Sequence, residues 1–423
     1  MILSPKLDIQ RSCTLHLNTS DKSLSHRSVI FAFLTQGKSE IKDFLISKDT
    51  LATLQIAQRL GAQIEFKSPS HFFILPPAQI SSSTLLQCQN SGTSLRLYAG
   101  LLSGKEGEFV LDGDESLRKR PMQRIREPLE EMGAKFSSSF APLKICGNPK
   151  LQAIHYRSSI ASAQVKSAFI LSALGANGES IYIEPELSRD HSERFLSFLG
   201  AEIDRQNDEI VIAPLKSPLP SYQIKIPNDP SSAIFFVVAC LISRDMELKI
   251  CDVLLNPTRI YALEILKKMG AKLNYEVRSK ELEKVGDIWI KSSDLVGIEI
   301  SSKIAWIIDE IPALCIAFAC ARGRSKIVHA KELRFKESDR ICAIVNNLQR
   351  LGIEAYELED GLEIIGGEFE YGILESYGDH RIAMSFALVG IKTQVEIRGT
   401  ECVDISFPQF FKFLSQFVKI KER

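Results

Sequence analysis

The residues best suited to chemistry lie between Trp306 and Arg340. Asp309 and Glu310 interrupt an apolar context and are followed at once by Pro312 and a run rich in Ala and Cys. That pattern predicts a strand ending in carboxylates at a helix start, where Pro is favoured and acidic groups meet the helix dipole. Further along, Lys336, Glu337, Asp339 and Arg340 form a second charge knot at the predicted start of another helix. Lys336 and Arg340 are four apart, which predicts both cations on one helical face with Glu337 beside them. A carboxylate near a Lys/Glu/Arg cluster suits proton transfer next to an anionic substrate. Taken alone, the same run reads as a solvated helix start laced with ion pairs.

Similar polar starts recur on six predicted helices that are apolar nearly all round and therefore buried. These run from Ser25 to Gly37, Ser94 to Gly104, Ser162 to Gly175, Ser231 to Ser243, Glu310 to Gly323 and His380 to Gly390. Their starts carry Asp21 to Arg27, Asn90 to Arg96, Ser162 to Lys166, Asn228 to Ser232, Asp309-Glu310 and Gly378 to Arg381. A helix N-terminus offers free N–H groups and partial positive charge, so it attracts phosphate and carboxylate. Ser and Asp there are ordinary caps. A Lys or Arg in the first turn opposes the dipole, so Lys22, Arg27, Lys166 and Arg381 point to a small, highly anionic substrate. Two further cationic turns run from Leu117 to Met122 and from Ser188 to Glu193, with Lys119 read as solvated.

The elements that must position these residues form an internal repeat. Leu60-Gly-Ala, Met132-Gly-Ala, Leu199-Gly-Ala, Met269-Gly-Ala and Leu351-Gly-Ile each follow an amphipathic helix and precede a β-prone run. Glycine there fits the left-handed position that ends a helix. With the last segment, six copies of an α/β unit are predicted, three to a domain. The domain boundary is expected between Pro214 and Pro230, giving domains 19–227 and 1–18 with 228–423. A first strand, Ile2 to Ile9, is expected to pair with the C-terminal half.

Composition narrows the function classes. The chain has 423 residues, 45% apolar and 25% charged, with zero formal net charge. This is the profile of a globular protein and gives no sign of a nucleic-acid or membrane surface. The longest apolar run, Ala233 to Ile242, is too short to span a bilayer, and no signal-peptide core opens the chain. Nine cysteines without a Cys-x-x-Cys pair and seven dispersed histidines predict a reduced, cytoplasmic protein without a metal site.

Nine short motifs, in order along nearly the whole chain, resemble one family. They are Lys22-Ser-Leu-Ser-His-Arg27, Asn90-Ser-Gly-Thr93, Arg118-Lys-Arg-Pro-Met122, Ser162-Ala-Gln-Val-Lys-Ser167, Ser188-Arg-Asp-His191, Asn256-Pro-Thr-Arg259, Ile308-Asp-Glu-Ile-Pro312, Lys336-Glu-Ser-Asp-Arg340 and Gly378-Asp-His-Arg381. The family is the 3-phosphoshikimate 1-carboxyvinyltransferases, or EPSP synthases, in the wording of the class II branch. The resemblance implies an α/β, two-domain enolpyruvyl transferase fold, each domain made of three βαβαββ repeats around buried helices, an inside-out α/β barrel. It implies an active site in the interdomain cleft. The implied reaction joins the enolpyruvyl group of phosphoenolpyruvate to the 5-hydroxyl of shikimate 3-phosphate and releases phosphate. No metal or organic cofactor, nucleic acid or membrane partner is implied, and a monomer is expected.

The resemblance also assigns roles. Asp309 is the expected base at the hydroxyl, and Glu337 the acid and then base at the methylene carbon. Lys22 is expected to neutralise phosphate and donate a proton. Lys22, Ser23, Arg27, Ser162, Ala163, Gln164, Arg189, Asp309 and Lys336 are the expected contacts of shikimate 3-phosphate. Lys22, Gly92, Arg120, Gln164, Arg340, His380 and Arg381 are those of phosphoenolpyruvate. Arg suits carboxylate and phosphate because its planar fork binds them bidentately. The chain departs from the family pattern at Ile405, where some members carry Lys, and at Glu332, often Asn. Ala163 replaces a Ser, so its contact can come only from backbone. Gly92 leaves room for an inhibitor competing with phosphoenolpyruvate, which predicts sensitivity to glyphosate. Two rivals stand beside this reading. UDP-N-acetylglucosamine enolpyruvyltransferase typically needs a loop cysteine, and none occurs here between Cys88 and Cys146. A non-catalytic anion-binding homologue would not need Lys22, Asp309 and Glu337 together.

Overall fold

The computed structural model describes residues 1–6, 10–82, 85–206 and 208–422, apart from the side chain at position 405. Two compact units are present, one of Ser20–Ile226 and one of Met1–Thr19 with Pro227–Arg423.

Within each unit the apolar helices are the core. In Pro230–Ile242 every residue except Ser232 is buried, and in Ile311–Ala319 all nine are. Lys22–Ile30, Gly92–Ser103, Ala163–Ala173 and His380–Ala387 are likewise buried over most of their length. Each large apolar side chain so covered contributes about 1.5–3 kcal/mol, which is why these helices lie inside. The amphipathic helices and the sheets lie around them. Strands such as Ser180–Ile183 and Glu209–Ile212 alternate buried and more exposed residues, as a sheet with one covered face requires.

The described strands of Ser20–Ile226 form three four-stranded sheets and one two-stranded sheet. One copy shows the unit plainly: strand Leu85–Gln87, helix Gly92–Ser103, strand Gly107–Asp112, helix Gln123–Glu131, then strands Lys135–Phe136 and Leu143–Gly147. The first two strands pair in parallel across the buried helix, and the last two add antiparallel partners. The other unit also has three four-stranded sheets. Its N-terminal strand Ile2–Pro5 lies between Val395–Arg398 and Val418–Lys421, and Ser12–Leu15 joins Glu247–Leu254 in parallel. The remainder of the expected Ile2–Ile9 strand, residues 7–9, lies outside the described residues. Among the described residues no sheet closes into a barrel.

All five helix-stop glycines, Gly61, Gly133, Gly200, Gly270 and Gly352, have φ between 76 and 108°. Each directly follows the residue that caps its helix, where a side chain would be strained.

Two local expectations fail. The stretch before Asp309 is no strand: Ile304–Ile307 is a short helix, and Lys303 at φ 56° turns the chain into it. Ile304, Ile307 and Ile311 are buried at helical spacing, which overrides the β-prone residue types. Nor do Lys336 and Arg340 share a helix. Asp339 caps Arg340–Arg350, so Lys336 lies in extended backbone ahead of it.

Candidate functional site

In the Ser20–Ile226 unit, the polar residues gather at the starts of its three buried helices. Asp21 caps the first helix and accepts from Leu24 N at 2.7 Å. Lys22 follows, half-buried, and pairs with Asp49 at the start of the neighbouring helix Lys48–Arg59. Arg27 is buried; it donates to Ser192 Oγ and Ser167 Oγ at 2.8 Å and to the Ser23 carbonyl at 3.1 Å. It thereby joins the first helix to Ala163–Ala173 and His191–Phe198. Half-buried Arg189 lies just ahead of that last helix, with Asp190 as its cap residue.

The second helix start is cationic. A Cβ on Gly92 would lie 3.1 Å from Arg96 Nη1 and 3.4 Å from Arg120 Nη1. Arg120 donates to Asn90 Oδ1 at 2.6 Å and to Ser116 Oγ at 3.3 Å. Arg96 donates to Gln164 Oε1, and Gln164 Nε2 donates to Thr93 Oγ1 at 3.0 Å. Ser162 caps the third helix, and Ala163 is its first residue. Each of these partners of Arg27, Arg96 and Arg120 is a neutral oxygen, so these contacts hold the positive charge in place without cancelling it.

In the second unit cations and carboxylates are matched, centred on buried Arg340. Its Nε donates to Asp379 Oδ2 at 2.8 Å, Nη2 to Glu337 Oε2 at 2.7 Å, and Nη1 to Asp309 Oδ1 at 3.3 Å. Burial pulls the Arg340 pKa down, but Asp379, Glu337 and Asp309 overcome it and hold the guanidinium more firmly protonated than usual. Lys336 Nζ lies 3.7 Å from Asp309 Oδ1. Arg381 Nη1 donates to the Asp309 carbonyl at 2.9 Å, and Asp379 caps the helix through Arg381 N at 2.8 Å. His380 is buried at the same helix start. Lys336 and Arg340 thus meet at one carboxylate although they do not share a helical face.

Sequence and structure part company at Lys166. Expected to help bind an anion, it is completely buried, with Glu184 at 2.8 Å and Glu193 at 2.7 Å. Burial pulls its pKa down, yet the two carboxylates raise it above the usual value. Lys166 is a core cation, and the reason is tertiary: both partners come from later elements. Arg118 is also consumed, by a two-point pair to Asp112 at 2.9 and 2.6 Å. Asn256 and Arg259 form a second buried lock, Asn256 with Glu283 at 3.0 Å and Arg259 with Asp229 at 2.7 Å. Glu332 is half-buried on the short 3-10 turn Lys331–Phe335, and the Ile405 side chain lies outside the described residues. Three residues were not singled out from sequence. Asp49 carried no signal beyond its place near a helix start. Arg96 and Asp379 stand inside quoted motifs, where reading the cap position of Asp379 could have revealed its use.

Known proteins resemble this chain along its length. A family profile for EPSP synthase (3-phosphoshikimate 1-carboxyvinyltransferase) matches residues 14–414. A Helicobacter pylori strain G27 protein named 3-phosphoshikimate 1-carboxyvinyltransferase is 52% identical, covering 96% of this chain and 98% of its own. One of the same name from a Nitratiruptor species is 48% identical and covers 98% of both chains. Among solved structures, EPSP synthase from Acinetobacter baumannii superposes with a TM-score of 0.88 at 37% identity, covering 100% of this chain and 99% of its own. The enolpyruvyl transferase NikO from Streptomyces tendae reaches 0.77 at 15% identity, over 99% and 98% of the two chains, a likeness of fold alone.

Proposed function

Because this chain belongs to the EPSP synthase (3-phosphoshikimate 1-carboxyvinyltransferase) family, with its two-domain enolpyruvyl transferase fold, we propose the family's reaction for it. It transfers the enolpyruvyl group of phosphoenolpyruvate to the 5-hydroxyl of shikimate 3-phosphate, giving 5-enolpyruvylshikimate 3-phosphate and phosphate, in the shikimate pathway to aromatic amino acids. The observation that carries this reading is Arg340, which holds Asp309 and Glu337 within 3.3 Å of a single buried guanidinium. Two carboxylates fixed side by side in unlike surroundings can divide the roles of base and acid.

In this reading the cationic helix starts of Ser20–Ile226 and the carboxylates of the other unit both take part in the reaction. Shikimate 3-phosphate is bound by Lys22, Ser23, Arg27, Ser162, Ala163, Gln164, Arg189, Asp309 and Lys336. Phosphoenolpyruvate is bound by Lys22, Gly92, Arg120, Gln164, Arg340, His380 and Arg381. Asp309 takes the hydroxyl proton as that oxygen bonds to C2 of phosphoenolpyruvate. Glu337, in its acid form, adds a proton to the C3 methylene. The tetrahedral adduct then collapses: Glu337 takes a methyl proton back, the double bond re-forms, and the C2–O bond to phosphate breaks. Lys22 offsets charge on the leaving phosphate and can protonate it. Every proton and electron pair is accounted for by side chains and substrates, so the reaction calls for no cofactor.

We also propose that the protein works in the cytoplasm as a monomer, a reading in keeping with nine cysteines that are all free thiols. The test is to mix the protein with both substrates and measure phosphate. Release is expected with shikimate 3-phosphate and not with UDP-N-acetylglucosamine in its place. Silence with the first, or turnover with the second, overturns the assignment.

A further inference from the structure

We propose that His26, Thr53 and Ser94 are positioning residues that fix the Gly92 helix start through its cap, Ser91. The inference rests on the reading above that Gly92 and Arg120 receive phosphoenolpyruvate.

The geometry is a two-rung ladder between helices, with a third helix attached. Lys22 and His26 are four apart on the first helix, and Asp49 and Thr53 are four apart on the helix Lys48–Arg59, so each pair shares a face. Lys22 meets Asp49, and His26 Nδ1 meets Thr53 Oγ1 at 2.6 Å. Thr53 Oγ1 is also 2.6 Å from Ser94 Oγ, and Ser94 Oγ donates to Ser91 Oγ at 2.7 Å. Ser91 in turn caps the Gly92 helix by accepting from Ser94 N at 3.1 Å. The Tyr98 hydroxyl pins the Thr53 carbonyl at 2.8 Å. His26, Thr53 and Ser94 are fully buried and Ser91 is 1% exposed, so water does not compete for these bonds.

Counting hydrogens gives the chain a direction. A hydroxyl has one hydrogen. Ser94 gives its hydrogen to Ser91, so Thr53 must give its own to Ser94. His26 must then donate from Nδ1 to Thr53. The competing acceptor, the Asp49 carbonyl, is 3.5 Å from both hydroxyls and is much the poorer partner. Burial, and then Lys22, lower the His26 pKa to about 3, so the ring is neutral with one N–H to place. That hydrogen belongs on Nδ1. Nε2 is buried and has no hydrogen-bond partner among the described residues.

The inner rung therefore orders both sides of the phosphoenolpyruvate half-site: Lys22 through the shared helix faces, and Gly92 through Ser91. Thr53→Val keeps the shape and removes the hydroxyl. It is expected to raise KM for phosphoenolpyruvate about tenfold, the worth of one good buried hydrogen bond, with kcat within about twofold. Thr53→Ser should restore the wild-type KM. Thr53→Val kinetics within about twofold of wild type, a loss in kcat alone, or Thr53→Ser as impaired as Thr53→Val would each overturn the proposal. Imidazole nitrogen NMR shifts of the wild-type protein decide it independently of turnover. An Nδ1–H tautomer for His26 is expected, and an Nε2–H tautomer refutes the chain. Wild-type protein that releases no phosphate sinks the assigned reaction, while the tautomer still decides the network.

Discussion

His26 and Arg340 are both buried basic side chains near the start of a helix, one in each unit, and their charge states are driven in opposite directions. His26 meets a hydroxyl and has Lys22 one turn away, so burial wins and the ring stays neutral. Arg340 meets three carboxylates between 2.7 and 3.3 Å, so burial loses and the guanidinium stays charged. Desolvation acts on both; the neighbours decide the outcome. The same contrast runs through the two half-sites. In Ser20–Ile226, Arg27 donates to the hydroxyls of Ser192 and Ser167, and Arg120 to the amide oxygen of Asn90, all neutral oxygens. In the other unit the cations are matched by carboxylates, which suits proton transfer more than anion capture.

The largest test of that division is chemical. Asp309→Ala and Glu337→Ala are each expected to lower phosphate release by about 10²–10⁴-fold, the usual worth of a general acid or base. Circular dichroism should remain that of wild type. A variant with near-normal turnover would remove the acid–base role from its unit.

Next comes stability. Arg340→Leu strands the fully buried Asp379 and its neighbours, an expected loss of about 3–5 kcal/mol in urea unfolding. Arg27→Leu leaves behind the hydroxyls of Ser192 and Ser167 and the Ser23 carbonyl, with an expected loss of about 1–3 kcal/mol. Equal losses would break the comparison.

Protons offer a subtler probe. A His26 pKa of about 3 in the folded protein, against 6.5 ordinarily, means the unfolded chain binds the extra proton between those values. The stability from neutral His26 is present above pH 6.5 and is lost as pH falls toward 3. Wild type should lose about 2 kcal/mol near pH 5 from this group. His26→Asn should show a correspondingly shallower decline, and identical slopes would show that His26 titrates normally.

The smallest structural effect is expected at Gly92→Ala. The three heavy atoms nearest the added Cβ all belong to the far ends of Arg96 and Arg120, which can shift, so stability should change by less than about 1 kcal/mol. Affinity for glyphosate should fall instead. A flat wild-type activity curve through millimolar glyphosate would refute the expected sensitivity.

Much of this was legible in the residues themselves. Helix stops at Gly61, Gly133, Gly200, Gly270 and Gly352 follow from the one residue that tolerates a left-handed turn, so local chemistry suffices. The buried helices follow from unbroken apolar surface, and nine ordered motifs point to one family. Charge pairing was not legible in the same way. Lys22 and Lys166 both stand in the first turn of a buried helix, and both looked available to an anion. Lys166 is instead enclosed by Glu184 and Glu193, while Lys22 stays half-buried against Asp49. Arg340 finds Asp379 only because two copies of the repeat pack together. A side chain's type and local backbone preference are written in sequence, but the partners that cancel or preserve its charge arrive from distant elements, and only packing brings them within hydrogen-bonding range.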